Sequence, residues 1–407
     1  MRTVDEHLEV VLAHISPLDP MDLRLLDAQG CSLSDDVSAP WDLPPFDNSS
    51  MDGYAVRAAD VAGASEATPV SLPVVGDIPA GHSGALALAP GQTARIMTGA
   101  PMPAGADAVV PVEWTDGDIV RVSIHRAPEP DAFVRHRGED AVANSMVLSS
   151  GTRLGAAQIG LLAAVGRGRV VVRPRPRVVV MSTGSELVEP GEPIAGGKIP
   201  DSNSFMIAAA AHATGATAYR IGFVPDEPQT LIATIEDQLI RADLVITTGG
   251  VSVGAFDVVK EALSRMGSVN FTQVAMQPGK PQGFGHVGPD KTPIFTLPGN
   301  PVSAFVSFEV FVRPVLRRML GHDPLHRPTV RAVLMDAVDS PAGKRQFLRG
   351  SLTVEDGRYV VRVVGGPGSH LLAGLSHADS LIVIPEEVTR VESGDAVTVM
   401  MLERRAG

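Results

Sequence analysis

The sequence predicts an α/β multidomain protein with four parts. These are an open α/β domain with a mostly parallel sheet, a discontinuous helical domain, an inserted β domain and a C-terminal β domain. Three observations lead there. Apolar strand-like runs alternate with helical stretches from about Arg177 to Gly321, the pattern of a parallel sheet covered by helices. Short β-branched runs punctuated by Gly, Pro and Asp fill the region from Pro40 to about Asn144. Helical signals flank that region on both sides. At roughly 150 residues per domain, 407 residues suit two to four domains.

The first helix starts at Thr3 and Glu6, spaced as a capping box, and shows Leu8, Val11, Leu12 and Ile15 on one face before Pro17. The β segment includes SLPVVGDIPAGHSG and TARIMTGAPMPAGADAVVPVEW. Helical signal returns at GAAQIGLLAAVG, closed by Gly166, and is expected to pack with the N-terminal helices. The stretch RGRVVVRPRPR follows, with Pro174 and Pro176 favouring an extended, solvated connector at a domain boundary. The expected domains are 1–40 with 144–175, 41–143, 176–322 and 328–407.

Within the α/β part, VVVMSTG, TAYRIGFV, DLVITTGG, VNFTQVAMQ and IFTLPGN read as strands. Helices are expected from Ser204 to Ala213 before Gly215, over QTLIATIEDQLIRA and FDVVKEALSRMG, and along VSAFVSFEVFVRPVLRRMLG. TVRAVLMDAV, SLTVEDGRYVVRVV, LIVIPEE and AVTVMML supply the strands of the last domain.

Composition narrows the function. With 34 basic and 46 acidic residues, the net charge of −12 argues against a general nucleic-acid binder, and no aromatic residue interleaves the arginines of the connector. The 41 glycines and 33 prolines indicate many tight turns and stay below the ~25–30% that marks low complexity. Cys31, the single cysteine, excludes an intramolecular disulfide and fits a reducing compartment. No run of about eighteen apolar residues occurs. A soluble, unsecreted, cytoplasmic protein is expected, with no membrane partner.

Ligands of open α/β domains bind at the carboxyl ends of the strands. Three polar, glycine-rich turns follow strands here: Ser182-Thr183-Gly184-Ser185-Glu186, Thr247 to Gly254 with Gly249, Gly250 and Ser252, and Pro298-Gly299-Asn300-Pro301-Val302-Ser303. Glycine admits close backbone approach, and exposed N–H groups with hydroxyls wrap an anion. Pro301 suits the first position of a helix whose dipole favours negative charge. Together the turns predict a phosphate-type pocket, to which Lys280 between its prolines adds a cation. Glu186, Asp201, Asp226 and Asp257 lie beside these turns, and carboxylates near a phosphate point to Mg²⁺ between them. Neither GxxxxGK[ST] nor a clean GxGxxG occurs, so an ordinary P-loop or dinucleotide fold is disfavoured. His322 and His326, interrupted by Pro324, do not form a helical zinc pair, and no GxSxG elbow marks a serine hydrolase.

The strings SSMDGYAV, RIMTGAPMPAGADAVVPVE, RHRGED, STGSEL, IPDSN, TTGGVSVGAFD, PGKP, LPGNPVS and GSHLLAGLS occur in this order across almost the whole chain. Together they resemble the molybdopterin molybdenumtransferase family, the molybdenum insertases to which the gephyrin E domain belongs. The resemblance implies four domains, an elongated homodimer, and conversion of adenylylated molybdopterin and molybdate to molybdenum cofactor and AMP, assisted by Mg²⁺. It places Asp52, Thr98, Arg135 and Asp140 opposite Glu186, Asp226, Asp257, Lys280, Pro298 and Pro301 of the partner subunit, with Arg349 and Ser369 near the cleft. Asp257, Glu186 and Asp52 become the expected catalytic carboxylates, the first two also as metal ligands. Gln277 stands where some relatives have lysine, Ser185 where an acid is common, and Ser50 where alanine is frequent. A nucleotide pyrophosphatase sharing the α/β domain and a non-enzymatic scaffold are the alternatives, and tungstate competes with molybdate as the oxyanion.

Overall fold

The structure is a computed structural model that describes residues 1–81, 86–225, 227–250 and 256–402, excluding the side chains of 256–258. It divides into two compact units. One comprises Met1–Ser34, Gly151–Gly155 and the chain from Val170 onward, and the other Asp35–Ser150 with Ala156–Arg169.

The first unit is built on a six-stranded sheet. In chain order its elements are β1 (Arg177–Thr183), α1 (Asn203–Thr214), β2 (Thr217–Val224), α2 (Pro228–Leu239), β3 (Leu244–Thr248), α3 (Phe256–Met266), β4 (Gly267–Gln273), β5 (Pro281–Val287), β6 (Thr292–Leu297) and α4 (Pro301–Ser307). The strand order is β2-β1-β3-β6-β5-β4. The first four strands are parallel, whereas β6/β5 and β5/β4 pair antiparallel. The sequence pattern does not announce β5 as a strand. Its glycines conceal it, yet the sheet requires them: a Cβ on Gly285 would lie 2.0 Å from the Ser268 carbonyl oxygen across the ladder.

The apolar runs of β1 and β3 are continuous because both faces are covered. Val178 and Val180 join one buried cluster with Leu244 and Ile246, and Val179 and Met181 join another with Val245 and Ile294. Gly215 ends α1 in the left-handed conformation at φ 107°, as a C-cap glycine does. The long C-terminal helix runs through α4, a π turn at Phe308–Val312 and α5 (Arg313–Met319). Against it lies the N-terminal helix Val4–Leu12, opened by the capping box of Thr3 and Glu6, with Val4 and Val11 buried in the cluster that holds Phe308 and Phe311.

The RGRVVVRPRPR segment is not wholly a solvated connector. Arg169–Arg173 is a strand with Val170 and Val172 buried, paired with Ser32–Leu33, because its alternate valines find a core. Beyond it, Arg177 makes a bidentate pair with Asp243, Nη2 to Oδ1 at 2.8 Å and Nε to Oδ2 at 3.1 Å. The chain then ends in a second six-stranded sheet that takes in Met276–Gln277. There Arg345–Glu355 also pairs with Ser380–Ile384, closing the sheet on itself.

The second unit carries a five-stranded sheet ordered Ala108–Pro111, Gly53–Val56, Thr93–Ile96, Val70–Ile78 and Arg121–Ile124. The helix Ala156–Ala164 clusters with this unit, and Gly166 after it abuts Trp41, where a Cβ would fall 2.4 Å from the ring.

His322 lies buried after α5, and neither of its ring nitrogens has a partner among the described residues. Burial, reinforced by Arg317, Arg153 and Arg313, pushes its pKa down to about 4 from an ordinary 6.5. Its neutral form therefore stabilises the fold fully above pH 6.5. That contribution is lost as pH falls towards 4, where the unfolded chain takes up a proton that the folded chain refuses. We expect about 2–3 kcal/mol of acid destabilisation from this residue. Denaturant titrations at pH 7 and pH 4.5 should show a smaller pH difference for His322→Phe than for the parent chain.

Candidate functional site

The three strand-end turns open into one cleft of about 660 Å³ in the first unit. Ser182, Thr183 and Gly184 reach it from β1, Thr248, Gly249 and Gly250 from β3, and Pro298, Gly299, Asn300 and Pro301 from the turn into α4. Two glycines make the approach possible. Gly249 has φ 93°, and a Cβ there would lie 2.4 Å from the Thr183 carbonyl oxygen; on Gly250, at φ 68°, it would overlap Val259. The third turn sits against the second, since a Cβ on Gly299 would meet Gly249 Cα at 3.4 Å. Asn203 at the start of α1 ties the turn down, its Nδ2 donating to the Gly299 carbonyl at 2.7 Å.

Behind the cleft lies a buried polar network centred on Asp201, which is 1% exposed. Its carboxylate accepts from Ser182 Oγ at 2.7 Å and from the Ser204 N–H at 3.1 Å, also takes the Ser204 hydroxyl, and has Arg220 Nη1 at 3.6 Å. A serine hydroxyl has one proton. Because Ser182 gives its proton to Asp201, the 2.9 Å contact between Ser182 and Thr248 has Thr248 as donor. The hydroxyls at the ends of β1 and β3 are thereby fixed in orientation from within. Asp201 is a buried organiser of the cleft.

Glu186 is exposed and folds over Gly184, its Oε2 lying 2.6 Å from where a Cβ on that glycine would stand. Lys280 is exposed and does not line the cleft, which its neighbour Pro281 does. Arg349 is 4% exposed and spends its guanidinium on main-chain carbonyls: Val364 at 3.3 Å, Gly368 at 3.2 Å, Leu371 at 3.0 Å, and Gly366. It thus pins the loop that brings Ser369 and His370 to α4. The Ser369 carbonyl accepts from the Val302 N–H at 3.0 Å, and His370 lines the cleft. Arg349→Lys keeps the charge but cannot span several carbonyls. We expect it to cost about 1–3 kcal/mol locally, read as faster amide exchange over 364–371.

In the second unit, Asp52 Oδ1 accepts from the Thr98 N–H at 2.7 Å and from Thr98 Oγ1 at 2.8 Å. These bonds, with a lesser contribution from Arg95, hold the Asp52 carboxyl below its usual range. Asp52 is therefore an ionised, exposed group. Arg135 is exposed in the short strand Val134–Arg135, opposite Asn48 in the strand leading to the Asp52 turn. Asp140 follows in the RHRGED loop, its N–H donating to the Leu43 carbonyl at 2.9 Å. Ser50 Oγ donates to the Phe133 carbonyl at 3.1 Å, a bond alanine cannot make.

Asp226 and Ser252 lie outside the described residues, and so does the side chain of Asp257, the second residue of α3. His370, Asn203 and Ile199 line the cleft without having been singled out from sequence. His370 stood inside the string GSHLLAGLS, so its signal was present but unread. Among the described residues, no group of three His, Cys, Asp or Glu is arranged to hold a metal. Among them too, no helix is long and apolar enough to cross a membrane.

Comparison with known proteins agrees with this arrangement. Residues 2–166 match the MoeA N-terminal region, domains I and II; 179–318 match the probable molybdopterin binding domain; and 331–402 match the MoeA C-terminal region, domain IV. Molybdopterin molybdenumtransferase 2 of Mycobacterium tuberculosis is 48% identical over 405 residues, 98% of this chain and 99% of the relative. Molybdopterin molybdenumtransferase 1 of the same organism is 41% identical over 422 residues, 99% of each chain. The crystal structure of a molybdopterin biosynthesis MoeA protein from Pyrococcus horikoshii superposes with a TM-score of 0.78 at 32% identity, covering 98% of this chain and 99% of that one. With its cleft at the strand ends and its likeness to these proteins over nearly its full length, the chain belongs to the molybdopterin molybdenumtransferase family.

Proposed function

We propose that the protein inserts molybdate into adenylylated molybdopterin, releasing AMP and forming molybdenum cofactor, and that it acts as a homodimer with Mg²⁺. The single observation that carries this reading is the gathering of three glycine-rich strand-end turns into one cleft. At about 660 Å³ it lies within the ~300–1,000 Å³ of small-molecule sites. Backbone N–H groups of the Gly250 and Gly299 turns cradle the adenylate and its phosphoanhydride, while Gly249 and Gly250 press so closely on Thr183 and Val259 that neither of these two has room for a side chain.

Glu186 beside the hydroxyls of Ser182, Thr183 and Thr248 suits Mg²⁺, which takes one or two carboxylates and completes its shell with substrate phosphates and water. When bound, Mg²⁺ offsets the charge that the carboxylates and the phosphoanhydride would otherwise oppose. Asp257 positions the metal or the reacting oxygens, Asp226 and Ser252 complete the substrate surroundings, and Lys280, reaching in from beside Pro281, or arginines of the partner subunit hold the oxyanion. Asp52, fixed by Thr98, faces the cleft across the dimer together with Asp140. The four-domain division at 1–40 with 144–175, 41–143, 176–322 and 328–407 belongs to the same reading.

The test is incubation of purified protein with adenylylated molybdopterin, Mg²⁺ and either molybdate or tungstate, following AMP and cofactor. AMP release is expected, falling about 100-fold or more in Asp257→Ala, as for loss of ~3 kcal/mol of transition-state stabilisation. Release of AMP by Asp257→Ala at the parent rate removes its role, and a folded Asp52→Ala with full activity removes the cross-subunit site. No release with either oxyanion leaves the scaffold reading.

A further inference from the structure

A second pocket, of about 100 Å³, lies in the first unit between the N-terminal helix and the antiparallel edge of the sheet. Arg2, His7 and His14 line it from the N-terminal segment, and Ser268, Asn270 and His286 from β4 and β5. Its volume is that of about three waters, far below what the adenylylated substrate needs. It is also remote from the cleft. Pro281 at the start of β5 lines the cleft, and His286 stands five residues further on, about 17 Å away at the ~3.3 Å rise of a strand.

Every polar side chain of this pocket offers or can acquire a donor, and among the described residues no carboxylate lines it. His7 is 2% exposed, yet neither ring nitrogen has a partner among the described residues. His14 has Nδ1 at 2.8 Å from the Val10 carbonyl, which only accepts, so Nδ1 carries the proton and Nε2 is left with a lone pair. The His14 and His286 rings are 5.6 Å apart. Arg2 brings a guanidinium, and Lys291 adds a positive field at His286. In a chain of net charge −12, a pocket lined by one arginine, three imidazoles, a serine and an asparagine has the chemistry to attract a small anion.

We propose that this pocket is a second site, separate from the substrate cleft, for a single tetrahedral oxyanion of the phosphate, sulfate or molybdate type. The anion pairs with Arg2, takes hydrogen bonds from Ser268, Asn270 and the imidazoles, and binds with uptake of one solvent proton by the buried, unpartnered ring of His7. The pH dependence is set by His7 and His286, which face Arg2 and His14 of the N-terminal segment and Lys291 of the hairpin. Burial and like charge lower the pKa of His7 to about 4 and also depress that of His286. A bound anion reverses this, so affinity rises as pH falls.

The experiment follows histidine side-chain NMR signals of the full chain during separate titrations with inorganic phosphate, sulfate and molybdate. Saturable shifts of His14 and His286 are expected with at least one of them, and the tightest-binding anion identifies the source. The dissociation constant should tighten towards about tenfold per pH unit below neutrality, the limit for uptake of one proton. Arg2→Gln and His286→Gln, both altered at the pocket rim, should weaken binding at least tenfold, whereas Asn300→Ala in the cleft should not. Absence of saturable shifts with all three anions at millimolar concentration overturns the proposal. Unaltered affinity in both rim variants, or loss of binding in Asn300→Ala, does so as well.

Discussion

Glu309→Ala is expected to lower the unfolding free energy by about 3–5 kcal/mol, the cost of leaving buried charge without its partner. Glu309 lies 3% exposed in the π turn between α4 and α5. It takes a forked pair of hydrogen bonds from Arg327, Nε to Oε2 at 2.8 Å and Nη2 to Oε1 at 3.0 Å, with Arg313 Nε at 3.8 Å. Arg313 is already strained electrostatically, since burial and the nearby Arg327 push its pKa down to about 10. Removing Glu309 leaves two guanidinium groups facing each other inside the protein. The midpoint of urea unfolding should fall sharply, while Arg390→Ala, which removes exposed pairs with Asp339 and Glu392, should leave it nearly unchanged. A Glu309→Ala midpoint equal to that of the parent would show the triad to be energetically neutral.

Asp201→Ala should be the most damaging change to activity outside the residues that touch substrate. Its carboxylate fixes the proton of Ser182 and, through Ser182, that of Thr248. Without it, Ser182 and Ser204 lose a buried acceptor and Arg220 keeps Glu189, bound at 2.6 and 3.0 Å, and the Ser204 hydroxyl at 3.2 Å. We expect a stability loss of about 2–4 kcal/mol and a fall in AMP release of about 100-fold, equivalent to ~3 kcal/mol in the barrier. Asp201→Asn should be intermediate in both, because its amide accepts with one atom but presents donors where Ser182 and Ser204 also donate. Melting temperature separates the two effects. An Asp201→Asn variant with parent-like melting and parent-like turnover would sink the organising role.

Much of this was legible in the sequence because apolar periodicity and turn chemistry are local. The runs at Val178–Met181 and Leu244–Ile246, and the glycines after them, announced strands and the turns that close on the cleft. The strand Pro281–Val287 was not legible, since Gly283 and Gly285 serve its neighbours' bulk rather than its own propensity. The roles of Asp201 and Arg349 were hidden for another reason. Each is defined by partners distant in sequence: Asp201 by Ser182 and Arg220, Arg349 by the carbonyls of 364–371. Arg349 was expected beside the ligand, whereas its guanidinium is committed to the loop that carries Ser369.

The excursion of the chain between Ser34 and Gly151 bears on how the protein reaches its fold. Leu33 donates to the Thr152 carbonyl at 2.9 Å, and the Gly151 N–H donates back to Leu33 at 2.8 Å, so the exit and the return are clasped together by backbone. Closing a loop of roughly a hundred residues costs about 4 kcal/mol of chain entropy. The strand Ser32–Leu33 is synthesised early but finds its partner Val172–Arg173 only after the excursion is complete. Collapse of the intervening residues shortens the effective loop and lowers that cost. The same clasp makes Ser34 and Gly151 a closed neck, so that a change of length within the excursion leaves its two ends held together in the unit that carries the cleft.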